Sequence, residues 1–409
     1  MAFNTSISGL RAAQQEMGVI SNNIANVGTA GFKRSDAIFA ELYSASLGGS
    51  AAQPGSGVTL ERIRNDFGQG SFEFTSSQLD LAIDGDGMFI MSKDSQSTYT
   101  RAGAFRLDGD GFIVDNAGAN LQGYAADPTS GRIVETALTD LKITSALLSQ
   151  SATTTVDFKG NLDSLAAAPV DDDGDQAPFD ARNPNTYNFV SNVTVYDSAG
   201  ASHEVTMYFA QGTADGNDYN VHITVDDVDQ QITYALDFGT NGVLADDAVT
   251  TFDLAFTPIG ADPLAVTIDF SAATGFGAAS ASSGITQNGF AAGQLAGFQF
   301  DRDGIAYASY TNGETRAVGQ VALAQFTNPG GLTPAGRTNF SESGISGPPV
   351  TGTPNGEGRG FIRASALETA NVDLTEELLG LIEAQRNFQS NAQAIQNEND
   401  ASQAILQLR

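Results

Sequence analysis

The chain has 409 residues, 41% of them hydrophobic, with a formal net charge of −29 and no cysteine. That length supports two or three domains, each with its own core. The charge excludes nucleic acid and membrane insertion through anionic lipid, and the missing cysteine excludes disulfides, thiolate metal sites and cysteine nucleophiles.

Residues 3–27 carry apolar groups at heptad spacing. One seam is Phe3, Leu10, Met17 and Ile24, and the other is Ser6, Ala13, Ile20 and Val27. Steps alternating between three and four predict a helix with one narrow apolar stripe, capped at its start by Asn4 or Thr5. No basic stretch followed by an apolar core marks a cleaved signal peptide, and no apolar run reaches the roughly 18–20 residues that span a bilayer. Residues 31–70, with Gly48, Gly49, Pro54, Gly55 and Gly57, are expected to form an irregular connector.

The period then changes to two. Leu79–Asp84 alternates, and Met88–Met91 follows a Gly-Asp-Gly turn. Ala104–Leu107 and Gly111–Val114 flank Asp108-Gly109-Asp110, a hairpin signal. Residues 148–287 form a second β region, with strands expected at 187–195, 204–209, 219–225, 232–238 and 265–270. About twenty Asp and Glu face only Lys159 and Arg182 there. Asp171-Asp172-Asp173-Gly174-Asp175 reads as a solvated loop tip, because a calcium loop wants Gly where Gln176 stands. His203 and His222 fall on strands that would not set them opposite each other, so no catalytic group, cofactor or metal site is expected. The strand grammar of the first β region returns around Arg302-Asp303-Gly304 and Asn312-Gly313.

The C-terminal end is again helical. Leu374, Leu381, Phe388 and Ile395 form one seam, and Leu378, Ala392 and Leu406 the other, with Asp373 at the capping position. About 33 residues would span roughly 50 Å. Either these stripes pack on their own domain, or the two helices pair with each other and with neighbouring copies. Their narrow width suits a coiled-coil seam. The expected fold is therefore α+β and mainly β, with terminal helices pairing in a coiled-coil-like layer. Its expected parts are a helical domain (1–30 and 371–409), the connector (31–70 and 358–370), a split β domain (71–147 and 288–357) and an inserted acidic β domain (148–287).

Three stretches together resemble one family, the rod and hook axial proteins of the bacterial flagellum. They are Ser21-Asn22-Asn23-Ile24-Ala25-Asn26 with Gly31-Phe32-Lys33; Leu79 to Phe89 with Tyr99 to Phe105; and Asn371-Val372-Asp373-Leu374 with Ala384 to Ala392, including Gln385, Arg386 and Asn391. The likeness covers roughly the first 145 and last 120 residues. The large central insert, and Gln385-Arg386-Asn387-Phe388-Gln389 where rod subunits show Gln-Arg-Ala-Tyr-Glu, place it nearer the hook members. The resemblance implies a non-enzymatic homopolymer, a flexible curved tube that carries motor torque. It further implies extracellular location in the hook, export unfolded through the flagellar secretion apparatus, and contact with the distal rod protein, hook cap and hook-filament junction protein. A rod or hook-associated subunit is the alternative within the family, and a secreted β-rich adhesin the alternative outside it.

Overall fold

A computed structural model describes residues 2–42, 57–127, 131–144, 147–171, 176–212, 218–245 and 249–407. The backbone is mainly β-strand, enclosed in sequence by helix α1 (Ala2–Ala25) and helix α2 (Leu374–Gln407). α1 starts before Asn4 and Thr5, so neither caps it. Asp373 does cap α2, its Oδ1 accepting from the N–H of Thr375 at 2.7 Å and of Glu376 at 3.3 Å. The carboxylate of Glu376 turns away from a reciprocal capping box and bonds Arg34 instead at 3.1 Å.

The chain forms two units. The flanking unit comprises Met1–Ser145, Gly297–Ala308 and Thr315–Arg409, and the inserted unit Ala146–Ala296 with Ser309–Glu314. In the flanking unit the expected irregular connector is instead an antiparallel ribbon. Strand β1 (Ser35–Glu41) pairs with strand β2 (Val58–Asn65), from Ser35 opposite Asn65 to Glu41 opposite Val58. Of the residues that suggested irregularity, Gly48, Gly49, Pro54 and Gly55 fall in 43–56, outside the described residues, and Gly57 stands just before β2 with φ +104°.

The body of the flanking unit is a large antiparallel sheet. Its strands Met88–Lys93, Gln96–Thr100 and Asn120–Ala125 are joined by the late strands Thr315–Val321 and Leu323–Gln325. Early and late parts of the chain thus share one core, in which Met88, Ile90, Tyr99, Tyr124, Phe326 and Phe340 are buried together. Tyr99 and Phe326 meet edge to face at 4.8 Å. The Leu81–Asp84 strand departs from a half-wet alternation, since Leu81, Ala82 and Ile83 are all fully buried. It pairs with Phe361–Ala364, and Phe72–Phe74 pairs with Ala366–Glu368, so the segment leading into α2 is stitched to the segment leaving β2.

The inserted unit is a two-sheet sandwich. Strands Phe189–Tyr196, Ser202–Gln211, Asp218–Val225 and Val228–Asp237 form an antiparallel meander. Strands Thr155–Asn161, Thr251–Phe256, Leu264–Thr274 and Ala281–Gln287 form the second sheet, whose one parallel pair joins Thr155–Asn161 to Leu264–Thr274. Alternate side chains of both sheets meet in a dry core, where Phe158, Phe209 and Phe270 are fully buried and in mutual ring contact. The unit carries twenty-one Asp and Glu against Lys159 and Arg182, so about two-thirds of the net charge sits here.

Candidate polymerisation interface

α1 and α2 pack as an antiparallel ribbon. Gly9 faces Asn391, Ile20 faces Gly380, and Asn23 bonds Glu377, so pairing advances along one helix as it recedes along the other. Small residues set the close approach. A Cβ on Gly9 would sit 2.7 Å from the Asn391 Oδ1, and Ala13 and Ala384 are the buried apolar residues of the two helices.

The predicted seam residues divide. Leu10, Met17, Ile20, Ile24 and Val27, and Leu381, Phe388 and Ile395, are half-buried. Phe3, Leu374 and Leu378 are exposed, the last at 46%. The Leu406 side chain lies outside the described residues. Two further large residues, Leu379 at 60% and Ile382 at 48% exposure, lie off both heptad seams, so heptad spacing did not flag them. Leu378, Leu379 and Ile382 are a continuous apolar strip that the described residues leave exposed.

Below the ribbon, the motif residues build a junction rather than a binding site. Asn23 is buried. Its Nδ2 donates to the Ser35 carbonyl at 2.9 Å and to the Glu377 carboxylate at 3.2 Å, and its Oδ1 accepts from the Ser35 N–H at 3.0 Å. One amide thereby fixes the start of β1 against both helices. Asn22 is exposed, and the Asn26 side chain donates to the Asn22 carbonyl. Gly31 adopts φ +70°, and a Cβ there would strike the backbone of Arg101 and Ala102, so only glycine fits. Phe32 lines a cleft of about 750 Å³ shared with Asn22, Asn26 and the turn at Arg337.

Lys33 is the centre of the junction. Its Nζ lies 2.6 Å from Glu368 Oε1 and donates to the Gly68 carbonyl at 2.7 Å. Arg101 reaches the other oxygen of Glu368 at 3.2 Å, and the Gly70 N–H donates to Oε1 at 2.8 Å. Both members of the Lys33–Glu368 pair are fully buried as side chains. Burial pulls the Lys33 ammonium below its ordinary value, against the pull of Glu368. Burial likewise raises the Glu377 carboxyl, against its bond to Asn23. The motif lysine is therefore a structural cation, locked where the chain leaving α1, the β body and the chain entering α2 converge. Sequence reading missed Glu368 and Glu377, and it quoted Arg101 and Asn371, whose Oδ1 accepts from the Arg34 N–H at 2.7 Å, only within the family stretches and without a role. Their signal was weak: Glu368 is a lone acid closing a short apolar strand, 335 residues from its partner.

Gln385 and Arg386 are exposed on α2, and Asn391 Nδ2 donates to the Asn387 carbonyl within its own helix. In the inserted unit His203 is clamped, its Nδ1 2.7 Å from Asp226 and its Nε2 3.3 Å from Asp197. Burial pulls its pKa down, but the hydrogen bonds and charges of the two aspartates outweigh this and hold it above the ordinary value. His222 stacks flat on Phe179 at 4.2 Å. Of Asp171–Asp175, only Asp171 falls within the described residues and it is exposed. Among the described residues no group of three or more His, Asp or Glu stands together to hold a metal.

Comparison with known proteins agrees along the whole chain. Residues 3–33 match the profile described as Flagella basal body rod protein, and 82–161 the Flagellar hook protein FlgE/F/G D1 domain. Residues 161–290 match the Flagellar basal body protein FlaE D2 domain, and 363–408 the Flagellar basal body rod FlgEFG protein C-terminal. The chain is similar to the flagellar hook protein FlgE of Escherichia coli (strain K12), 35% identical with 100% of both chains covered. It is also similar to that of Borreliella burgdorferi, 30% identical with 98% of each covered. In fold it is similar to the crystal structure of Helicobacter pylori flagellar hook protein FlgE2, with TM-score 0.56 and 15% identity over 73% of this chain and 100% of that one.

Proposed function

The chain belongs to the flagellar hook protein family, and on that premise we propose that its paired terminal helices hold copies together while its β units make looser, more polar contacts. It is a structural subunit of the hook and not an enzyme. It polymerises into the hook and associates with components of the basal body.

The observation that carries the interface reading is the uncovered apolar strip. Phe3, Leu374 and Leu378 are exposed in the single chain, and Leu10, Met17, Ile20, Ile24, Val27, Leu381, Phe388 and Ile395 are half-wet. Fully burying such a side chain is worth about 1.5–3 kcal/mol, so covering them with sister copies is a strong drive to assemble. Leu406 belongs to the same set by spacing. The division of labour follows the four parts of the chain. The helices (1–30, 371–409) polymerise, residues 31–70 and 358–370 set the angle between helices and sheet, and the split and inserted β domains tolerate sliding. A tube with a continuous helical wall and slippery polar surfaces bends easily and still transmits torque. The neighbours in the assembly are the distal rod protein, the hook cap and the hook-filament junction protein. Delivery is unfolded, by the flagellar export route, and a chain without cysteine stays unlinked on the way.

Deleting residues 1–27 or 373–409 tests the reading. Polymerisation, followed by sedimentation and electron microscopy, is expected to vanish while the strand circular dichroism of the inserted unit persists. Tubes from either truncated chain would refute it.

A further inference from the structure

The sequence holds four Asn-Gly pairs, Asn241-Gly242, Asn288-Gly289, Asn312-Gly313 and Asn355-Gly356. Such a pair can lose its side-chain amide without an enzyme, because the glycine nitrogen reaches the asparagine side-chain carbon with no Cβ in the way. Hydrogen bonds to the glycine N–H and to the side-chain amide protect a pair, since they must break before the ring closes. Three pairs are held at both points. The Gly242 N–H donates to the Gly239 carbonyl at 2.8 Å, and Asn241 Oδ1 accepts from the Val243 N–H at 3.1 Å. The Gly289 N–H donates to Gln287 Oε1, and Asn288 Oδ1 accepts from the Thr154 N–H at 2.9 Å. The Gly313 N–H donates to the Tyr310 carbonyl at 3.0 Å, and Asn312 Nδ2 donates to the Ala291 carbonyl at 2.7 Å.

Asn355-Gly356 is open. Among the described residues the Gly356 N–H has no hydrogen-bond partner, and Asn355 Oδ1 accepts no hydrogen bond. The pair lies in an exposed turn where Asn355, Glu357 and Gly358 take φ of +61°, +48° and +82°. Exposed turns of this kind open locally at little cost. One side-chain bond is made, from Asn355 Nδ2 to Asp303 Oδ1 at 3.1 Å. Together with the bond from the Ile362 N–H to the Arg302 carbonyl at 2.9 Å, it ties residues 355–362 to the 301–304 turn of the flanking unit.

We propose that Asn355 is a spontaneous deamidation site, with water as its reagent, and that its conversion releases the contact with Asp303. The Gly356 nitrogen bonds to the Asn355 Cγ, the Cγ–Nδ2 bond breaks, and Nδ2 leaves as ammonia with the proton of the Gly356 N–H. Water then opens the cyclic imide at either carbonyl. The products are aspartate or, with the backbone rerouted through the side chain, isoaspartate. In both a carboxylate replaces the donor amide and repels Asp303. The inference is independent of the polymer reading and concerns how the flanking unit ages after folding.

Peptide mass spectrometry of the full-length chain, held in warm, mildly alkaline buffer made with heavy-oxygen water, tests it. Asn355 is expected to convert about tenfold faster than Asn241, Asn288 or Asn312, each of which must first give up two hydrogen bonds. Heavy oxygen should enter its new carboxyl, and isoaspartate should be among the products. Gly356 lies outside the left-handed region, and a Cβ on it would come no closer than 3.4 Å to Thr353, so Gly356→Ala should fold and slow the conversion severalfold. Asn355→Asp, a mimic of one product, should speed hydrogen exchange in residues 301–304 and 353–360. Adding Asp303→Asn restores a donor opposite an acceptor and should bring exchange back towards native. Conversion no faster than at the three held pairs, or not slowed by Gly356→Ala, overturns the site. Native exchange in Asn355→Asp overturns the release of the contact.

Discussion

The helix ribbon and the inserted sandwich are opposite solutions to one problem. In the sandwich, Phe158, Phe209, Phe270, Tyr219 and Ile268 are buried to within about a percent, and four of its strands follow one another in sequence as a meander. In the ribbon, Ala13 and Ala384 are the buried apolar side chains among the described residues, and the large ones described stay half-wet or exposed. One region is complete by itself. The other is an unfinished surface, tethered to a finished body by a dry ionic knot.

The comparison can be broken at that knot. Glu368→Ala would leave Lys33 and Arg101 buried with no counter-charge, and uncompensated burial of this kind costs about 3–5 kcal/mol. The flanking unit should therefore melt far earlier in calorimetry, with the transition of the inserted unit unmoved. A common shift of both would show that the two regions are not independent. Ile268→Val is the converse probe. It removes one buried methyl group from the sandwich and should cost about 1 kcal/mol there alone, leaving polymerisation as in the native chain.

Acidity sharpens the contrast further. His203 has a raised folded pKa, so its contribution is full below its ordinary 6.5 and is lost as pH climbs through the folded value. Asp226, through its bond to His203, is lowered; Asp197 is lowered too, because the N–H groups of Ala201 and Ala199 and the His203 bond outweigh its burial. Their contribution is present above 3.8 and is lost as pH falls through their folded values. His222, whose burial lowers its value, acts with the opposite sign and costs stability as pH falls below 6.5. The His203 share is therefore read as the difference in melting temperature between the native chain and His203→Gln, which should narrow as pH rises above 6.5. The smallest effect belongs to Asp373→Ala. It removes the cap of α2 and should lower amide protection only at the first turn, Leu374–Glu377.

Much of this architecture was legible because its periodicities are local. Heptad seams announced both helices, and Asp-Gly turns announced hairpins such as Arg106–Val114. The ribbon of β1 and β2 was not legible, since the Gly- and Pro-rich stretch between the strands outweighed their short alternation. The burial of Leu81, Ala82 and Ile83 on both faces depends on late strands laid against early ones, which no window of sequence reveals. The junction was legible only in part. Gly31 and Lys33 stood out as a motif, but the reason for them is Glu368 and the backbone of Arg101 and Ala102, known only once the chain has closed on itself.

That closure has a consequence in time. Asn23 to Glu377 spans 354 residues, Lys33 to Glu368 spans 335 and Arg101 to Glu368 spans 267. Contacts of such separation form late, after hairpins and meanders have condensed, because a long loop must close before they return any energy. The sandwich can fold as soon as its own strands are present. The ribbon and its knot must wait for the last forty residues. A chain whose last forty residues have not yet docked therefore has a folded middle and an open junction, which makes the final segment the last step of folding.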